Sequence, residues 1–457
     1  MTIQPATGMQ LYLALGRVSF LTTCAGLLFG YSTASIAGWL DEIGREFDLG
    51  TSGKEYVTVS LVFCCFLGAI VAGPIAKAWG RRVTLLCAFV LAGAGYGFTL
   101  THPDLGGVVV ARILIGLSVG LSSMAAPMYA GEATPARFRG SVVSLFQLAV
   151  TMGILAAYTV PLVMDDPAKW ALGIGLGGVI ALAGLVALAL VPESPVWLSS
   201  VGRLTQAQAA AAKLGFEYLV RSNQPADKSD LSFRKVLFIG TTPAVLGLCC
   251  GLFILQNFSG IDAILYYAPA IFVELGFSAG TAALGATFGL GLINLIATIV
   301  AIATVDRLGR RPLAIGGSLV MVIGLLGVVA AKSWDMPILG LVSLCIYIAA
   351  FAMSLGPLPY VLMSELIPST IRETGIAVAS ATSWLFNALV AFVFLSGVSV
   401  IGLDGVFLVF SAVCGLALIV SLVWMPETKS RDLDMIEDNV RSGTPLRRLG
   451  DVTADQG

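Results

Sequence analysis

Twelve long stretches of this 457-residue chain carry no charged side chain, apart from a single aspartate, and that pattern leaves few folds open. A helix needs about 20 apolar residues to cross the hydrocarbon core of a bilayer. The first six stretches are Val18–Leu40, Tyr56–Ala76, Val83–Thr101, Ile113–Gly131, Gly140–Met164 and Trp170–Pro192. The second six are Thr241–Val273, Leu275–Val305, Pro312–Ala331, Met336–Ser364, Thr374–Leu403 and Gly405–Pro426. The interrupting aspartate is Asp262, in the seventh. Several stretches exceed one span, so their ends must lie outside the hydrocarbon. Membrane-barrel strands are short and alternate in polarity, and these unbroken runs exclude them. Charged residues make up only 12% of the chain, against roughly 25% in soluble proteins. The expectation is an all-α membrane protein with twelve transmembrane helices. Its net charge of −1 offers nucleic acid no basic field, so the first partner is the lipid bilayer.

Lys and Arg collect on the cytoplasmic side of a membrane protein. Of the 26 here, five (Arg45, Lys54, Arg112, Lys169 and Lys332) fall on one side of the twelve stretches and the other 21 on the opposite side. This split predicts a multi-pass protein of the plasma or bacterial inner membrane with both termini cytoplasmic. The first stretch is a full span without a basic leader and small-residue cleavage site, so no cleaved signal is expected. The eight cysteines all fall within predicted helices and read as small packing residues. A single histidine, His102, cannot build a metal site. Neither metal nor cofactor is expected.

The chain also repeats itself. Gly73–Arg82 (GPIAKAWGRR) returns as Ile302–Arg311 (IATVDRLGRR), Glu132 with Arg139 as Glu365 with Arg372, and Pro192-Glu193-Ser194 as Pro426-Glu427-Thr428. The offsets are 229, 233 and 234 residues. Three echoes in one order at nearly one offset imply two six-helix halves, the parallel-repeat plan of major facilitator transporters. The predicted organisation is an N-terminal half over residues 1–192, a cytoplasmic linker with short helices over 193–235, a C-terminal half over 236–426 and a polar cytoplasmic tail over 427–457. Within the linker, Thr205–Val220 is rich in Ala, Gln and Leu and should be helical. Ser222–Ser232 is polar, contains Pro225 and reads as a flexible link.

Seven local motifs sharpen this plan. They are Gly26-Leu27-Leu28-Phe29-Gly30-Tyr31 in the first span, and Arg112, Gly116, Gly120, Pro127, Tyr129, Glu132 and Arg139-Gly140 along the fourth. Pro192-Glu193-Ser194-Pro195 follows the sixth, and Gln256-Asn257-Phe258-Ser259-Gly260-Ile261-Asp262 lies in the seventh. Asp306-Arg307-Leu308-Gly309-Arg310-Arg311 follows the eighth, Gly356-Pro357-Leu358-Pro359 with Ser364-Glu365 lies in the tenth, and Pro426-Glu427-Thr428-Lys429 closes the twelfth. In this order the chain resembles the sugar porter family of the major facilitator superfamily, including its bacterial sugar–proton symporters and facilitative glucose transporters. The resemblance implies a major facilitator fold and transport of a hexose or pentose by alternating access, as uniport or proton symport, by a monomer without enzymatic activity.

A sugar presents hydroxyls that both donate and accept, so its pocket wants neutral amides, hydroxyls and aromatic rings. By resemblance, the substrate-binding residues are Gln147, Gln256, Asn257, Asp262, Asn294, Tyr360, Trp384 and Asn387. Trp384 and Asn387 share a helix face by spacing, as do Asn294 and Thr298. On an ideal helix Gln256 and Asp262 would point roughly 120° apart, so the seventh span should deform, with Ser259-Gly260 the plausible place. Gly356-Pro357 offers a second hinge. The cytoplasmic gate implied by the resemblance comprises Glu132, Arg139, Asp306, Arg307, Arg310, Arg311, Glu365 and Arg372, with Arg137 and Glu193 joining in the first half.

The chain departs from the family pattern where coupling is decided. The symporters hold an aspartate, and the facilitators an asparagine, where this chain has Ser32. Asp262 stands where the family has asparagine, and an ionisable residue within a span is by default functional. Asn257 shortens a usual glutamine, and Tyr360 replaces a tryptophan. Two readings of Asp262 follow: the proton-coupling site of a symporter, or a direct ligand of the sugar in a facilitator. Lys77 and Ala78 replace an aspartate and an arginine of the first gate loop, so the first-half gate is expected to be weaker than the second. Alternative functions are transport of a polyol or another small solute, or sugar sensing without transport.

Overall fold

Hydrocarbon offers backbone N–H and C=O groups no partner, so a spanning chain must satisfy them within itself, which favours helices. The structure, a computed structural model, describes residues 8–164, 166–215, 239–368, 371–429, 431 and 433–451, without the side chains of 136, 167, 305, 306, 373, 433 and 434. All regular elements among the described residues are helical. The chain divides into two compact units, Met1–Pro225 and Ala226–Gly457.

In the first unit the spans are α1 (Gly8–Ala34), α3 (Thr51–Trp79), α4 (Arg81–Thr99), α5 (Leu105–Glu132), α6 (Ala136–Met164) and the pair α7 (Trp170–Gly175) and α8 (Gly177–Ala189). A short helix α2 (Leu40–Glu46) follows α1, and α9 (Pro195–Ser200) and α10 (Leu204–Lys213) follow α8. Small residues let membrane helices approach closely. Gly26 and Gly30 lay α1 against α6, where a Cβ on Gly30 would sit 1.9 Å from the Val150 carbonyl. Gly116 and Gly120 do the same for α5 against α3, with carbonyls of Leu61 and Cys65 at 2.2 and 2.3 Å from such a Cβ. The motif glycines of the first and fourth spans are therefore packing surfaces. The linker helix expected over Thr205–Val220 appears as α10 as far as Lys213, and the link at Ser222–Ser232 lies outside the described residues.

The second unit holds α11 (Thr242–Phe258), α12 (Ile261–Glu274), α13 (Thr281–Leu308), α14 (Arg310–Ser333), α15 (Pro337–Met353), α16 (Leu358–Leu366), α17 (Arg372–Val423) and α18 (Leu433–Arg441). The 52 residues of α17 would reach about 78 Å if straight, more than two bilayer cores. They reverse at Gly402, whose φ of 76° is left-handed. The rings of Phe394 and Phe410 consequently stack with centroids 6.2 Å apart. α17 is thus the eleventh and twelfth spans joined as a hairpin, which completes twelve.

The short polar tail folds back through α18. Ile436 and Val440 of α18, with Leu449 beyond it, are buried in a core with Val245, Leu362 and Leu366. The Asn439 amide donates to the carbonyls of Leu449 and Asp451, and Thr241 N–H donates to the Val440 carbonyl at 2.9 Å. Apolar residues spaced to share one face of α18 dock it onto the second unit.

Candidate functional site

In the second unit the seventh span breaks at Gly260, which takes a left-handed φ of 90° and ends α11 before α12 begins. A Cβ there would strike the Phe410 ring at 2.2 Å, so both backbone and packing demand glycine. The Tyr347 hydroxyl donates to the freed Ser259 carbonyl at 2.9 Å. The tenth span breaks as well, between α15 and α16, at Ser354 to Pro357. That break leaves the Gly356 carbonyl outside a helical ladder, and the Gln256 amide donates to it at 3.0 Å. Both deformations fall at the glycines that the sequence marks.

The breaks align polar groups from α11 and α12 along one stripe of α17. Asn257 Nδ2 donates to Phe253 O at 2.7 Å and to Ser383 Oγ at 3.3 Å. One turn along, Asn387 accepts from the Tyr266 hydroxyl through Oδ1 at 3.2 Å, and its side chain lies beside Asp262. No Lys or Arg forms an ion pair with Asp262 among the described residues. Tyr360 lies beside Ser383 and edge-on to Phe253, and leaves 45% of its surface exposed. Gln256 Oε1 is buried with no partner, an acceptor turned toward no protein donor. Asn294 on α13 and Trp384 on α17 are buried in the same unit. Neither Ser383 nor Tyr266 was assigned to the pocket from sequence, although Tyr266 follows the seventh-span motif and Ser383 lies one helical turn from Asn387.

In the first unit Gln147 is exposed on α6. Ser32 is buried, its hydroxyl 2.5 Å from the Leu28 carbonyl and 2.6 Å from the Tyr96 hydroxyl. Sequence reasoning missed two buried charges. Glu55, only 2% exposed, is the one buried carboxylate among the described residues, and Arg112 is 4% exposed. The Arg112 guanidinium donates to the carbonyls of Val57 and Thr58, within one turn of Glu55 on α3. Arg112 was counted among the outer charges, and the fourth-span motif gave no sign of its burial.

The charged ends of the helices repeat between the units. In the first, Arg81 grips Glu132 with two bonds, Nη2–Oε1 at 2.7 Å and Nε–Oε2 at 2.9 Å. Ser194 also donates to Glu132. Glu193 accepts from the backbone N–H groups of Arg81, Arg82 and Ser194, capping the positive end of α4. Burial pushes the Glu193 carboxyl above the usual carboxylate range, against the pull of those donors and of Arg82. In the second unit Arg310 Nη2 meets Glu365 Oε1 at 2.9 Å, Thr428 donates to Glu365 Oε2 at 2.5 Å, and Glu427 caps α14 through Arg310 and Arg311 N–H. Arg82 and Arg311 complete the parallel, donating to the carbonyls of Leu188 and Leu422.

The partners within the gate sets were left open by the sequence. Glu132 pairs with Arg81, while Arg139 is exposed. Glu365 pairs with Arg310, while Arg372 bonds the Ile367 carbonyl of its own turn. Among the described residues two bonds join Arg81 to Glu132 and one joins Arg310 to Glu365. The Lys77 carbonyl accepts from Trp197 Nε1. Arg307 is exposed and accepts Lys429 Nζ on its carbonyl. The Asp306 side chain lies outside the described residues.

Twelve spans in two units with duplicated helix-end ion pairs define a major facilitator protein. Residues 18–439 match the family described as "Sugar (and other) transporter". The chain belongs to this family, the sugar porters of the major facilitator superfamily. It is 34% identical over 453 residues to the galactose-proton symporter of Escherichia coli K12, covering 95% of this chain and 96% of the relative. It is 36% identical over 417 residues to the D-xylose-proton symporter of the same strain, covering 82% and 84%. The solved structure of the proton:xylose symporter XylE bound to 6-bromo-6-deoxy-D-glucose superposes with a TM-score of 0.77 at 31% identity, covering 96% of this chain and 98% of that one. A second structure of XylE, from Escherichia coli in a partially occluded inward open conformation, gives 0.77 over 92% and 100%.

Proposed function

We propose that this chain carries a monosaccharide, a hexose or pentose, across the cell membrane by alternating access of its two six-helix halves. One observation carries the reading: broken helices and one stripe of α17 gather Gln256, Asn257, Asp262, Tyr266, Ser383 and Asn387, nearly all neutral two-way hydrogen-bonding groups. Such groups match sugar hydroxyls without the desolvation penalty of a charge. The buried, partnerless Gln256 Oε1 is an acceptor suited to one of them. No Lys or Arg stands in this stripe, which speaks against an organic acid. Asn294, Tyr360 and Trp384 are assigned to the same sugar site, and Gln147 of the first half is assigned to sugar binding as well. The galactose and xylose symporters and the glucose-analogue complex lend support through their names.

Asp262 is assigned the coupling proton. It is a carboxylate in a span beside a neutral amide, with no ion pair among the described residues, so charge neutrality there comes from a proton. A uniport reading draws on Ser32, whose hydroxyl occupies the place of the symporters' aspartate and is held by Leu28 and Tyr96. The Arg81–Glu132 and Arg310–Glu365 pairs with their capping glutamates are assigned to the gate on the cytoplasmic side, where the Lys and Arg excess places both termini. The deciding experiment is uptake of radiolabelled galactose, xylose and glucose into proteoliposomes with and without an inward pH gradient. Symport gives gradient-driven accumulation, uniport gives equilibration only, and no uptake of any of the three rejects the proposal.

A further inference from the structure

A cavity of about 270 Å³ lies within the first unit, lined by none of the residues assigned to sugar. Its wall includes Arg17 of α1, Arg82 of α4 and Lys213 of α10, with Ala14, Leu190 and Leu214 among the apolar residues. Three cations from three different helices thus border one space. None of them forms an ion pair among the described residues. Glu193 spends its oxygens on the backbone N–H groups of Arg81, Arg82 and Ser194 and also attracts the Arg82 side chain, but it forms no ion pair with any of the three cations.

Arg82 adds an independent sign of a missing anion. Its Nη2 is anchored on the Leu188 carbonyl at 3.2 Å, while its Nε is buried with no hydrogen-bond partner. A buried guanidinium donor left unpaired is costly, and an anionic oxygen would satisfy it. The guanidinium is held in place by α8, so the site is partly preorganised before any ligand arrives.

The surroundings say what carries the anion. Leu190 lines the cavity and is 48% exposed, and Leu13, beside Ala14, is 55% exposed. Val186, one turn before Leu190, is exposed as well. Apolar surface suited to hydrocarbon thus runs up to the cavity mouth and gives way there to three cations. A soluble anion would use the cations and leave the apolar approach without purpose.

We propose that this cavity binds a phosphate anion presented as the headgroup of an acidic phospholipid, its acyl chains lying along Leu13, Val186 and Leu190. Basic pockets at the ends of transmembrane helices take such headgroups, and each Lys or Arg contributes about a fivefold gain in affinity. Arg17 and Lys213 belong to neither the sugar stripe nor the gate pairs, which makes them suitable probes.

The test is native mass spectrometry of the full-length protein in detergent, titrated with phosphatidylglycerol or with phosphatidylethanolamine of the same acyl chains. The wild type is expected to retain phosphatidylglycerol in preference. The Arg17→Gln/Lys213→Gln double variant should lose roughly 20-fold in that affinity, with phosphatidylethanolamine retention unchanged. Sugar uptake by the variant in neutral-lipid vesicles confirms that it folds. Equal phosphatidylglycerol binding by wild type and variant would overturn the proposal. A third arm adds inorganic phosphate: if millimolar phosphate alone occupies the site and displaces phosphatidylglycerol, the lipid assignment is wrong and the ligand is a soluble phosphate.

Discussion

The Gln256 side-chain amide donates to the Gly356 carbonyl at 3.0 Å, joining residues 100 positions apart in sequence. The bond exists because the tenth span is broken beside Gly356-Pro357, which releases a carbonyl that an intact helix would have used internally. It holds the Gln256 amide with its nitrogen committed and its Oε1 open. The broken tenth span therefore orients Gln256, the residue of the seventh that we propose as a leading sugar ligand.

Gln256→Ala removes that acceptor and leaves a substrate hydroxyl unpaired in a partly dry site. A lost hydrogen bond of this kind is worth about 0.5–1.5 kcal/mol, so sugar affinity should fall from two- to more than tenfold at normal expression. Equilibrium binding or the half-saturation of exchange measures it. Unchanged affinity would remove Gln256 from the site.

Asp262→Asn keeps the shape of the side chain and restores the residue usual in the family. It should abolish accumulation against a gradient while sugar exchange continues. Counterflow and pH-driven uptake in the same vesicles separate the two. Accumulation that survives the change would exclude Asp262 as the obligatory proton carrier and turn attention to Glu55, the one carboxylate buried more deeply.

Glu132→Gln should loosen the charged end of the first unit at least as much as Glu365→Gln loosens the second. The first substitution disrupts a bidentate grip, the second a single bond. A charge-assisted bond contributes about 1.5–3 kcal/mol, so each variant should slow net transport by roughly tenfold or more. Labelling of introduced cysteines from the cytoplasmic side would report the shift toward an opened inner mouth. A clearly larger effect at Glu365 would contradict the geometry.

Gly30→Val tests the α1–α6 seam. Any Cβ at position 30 collides with the Val150 backbone, which cannot move without shifting α6. Overpacking costs about 1–3 kcal/mol where neighbours can relax, and a helix backbone relaxes poorly. The thermal midpoint in detergent should drop by several degrees, while Gly131→Ala, at an open position, should leave it in place.

Hydrophobicity and its repetition are local properties, and they were legible in the chain. The uncharged runs determined twelve spans and the echoed Glu, Arg and Pro positions determined a duplication. Ser259-Gly260 and Gly356-Pro357 marked both broken helices, because a left-handed glycine or a proline disrupts a helix regardless of its neighbours. The docking of the tail was not legible, because its apolar residues are few and matter only once they share one face of α18. Partner choice was legible least. Glu132 meets Arg81 and not Arg139, Asn387 gathers Tyr266 and Asp262, and Ser383 joins Asn257 to the α17 stripe. Each contact depends on which helix faces adjoin across 50 to more than 100 residues, and on glycines that set how closely two backbones approach. The sequence alone determined what kind of surface each helix carries. Only tertiary packing decided which surfaces meet, because side-chain hydrogen bonds act over about 3 Å and no periodicity along the chain encodes that distance.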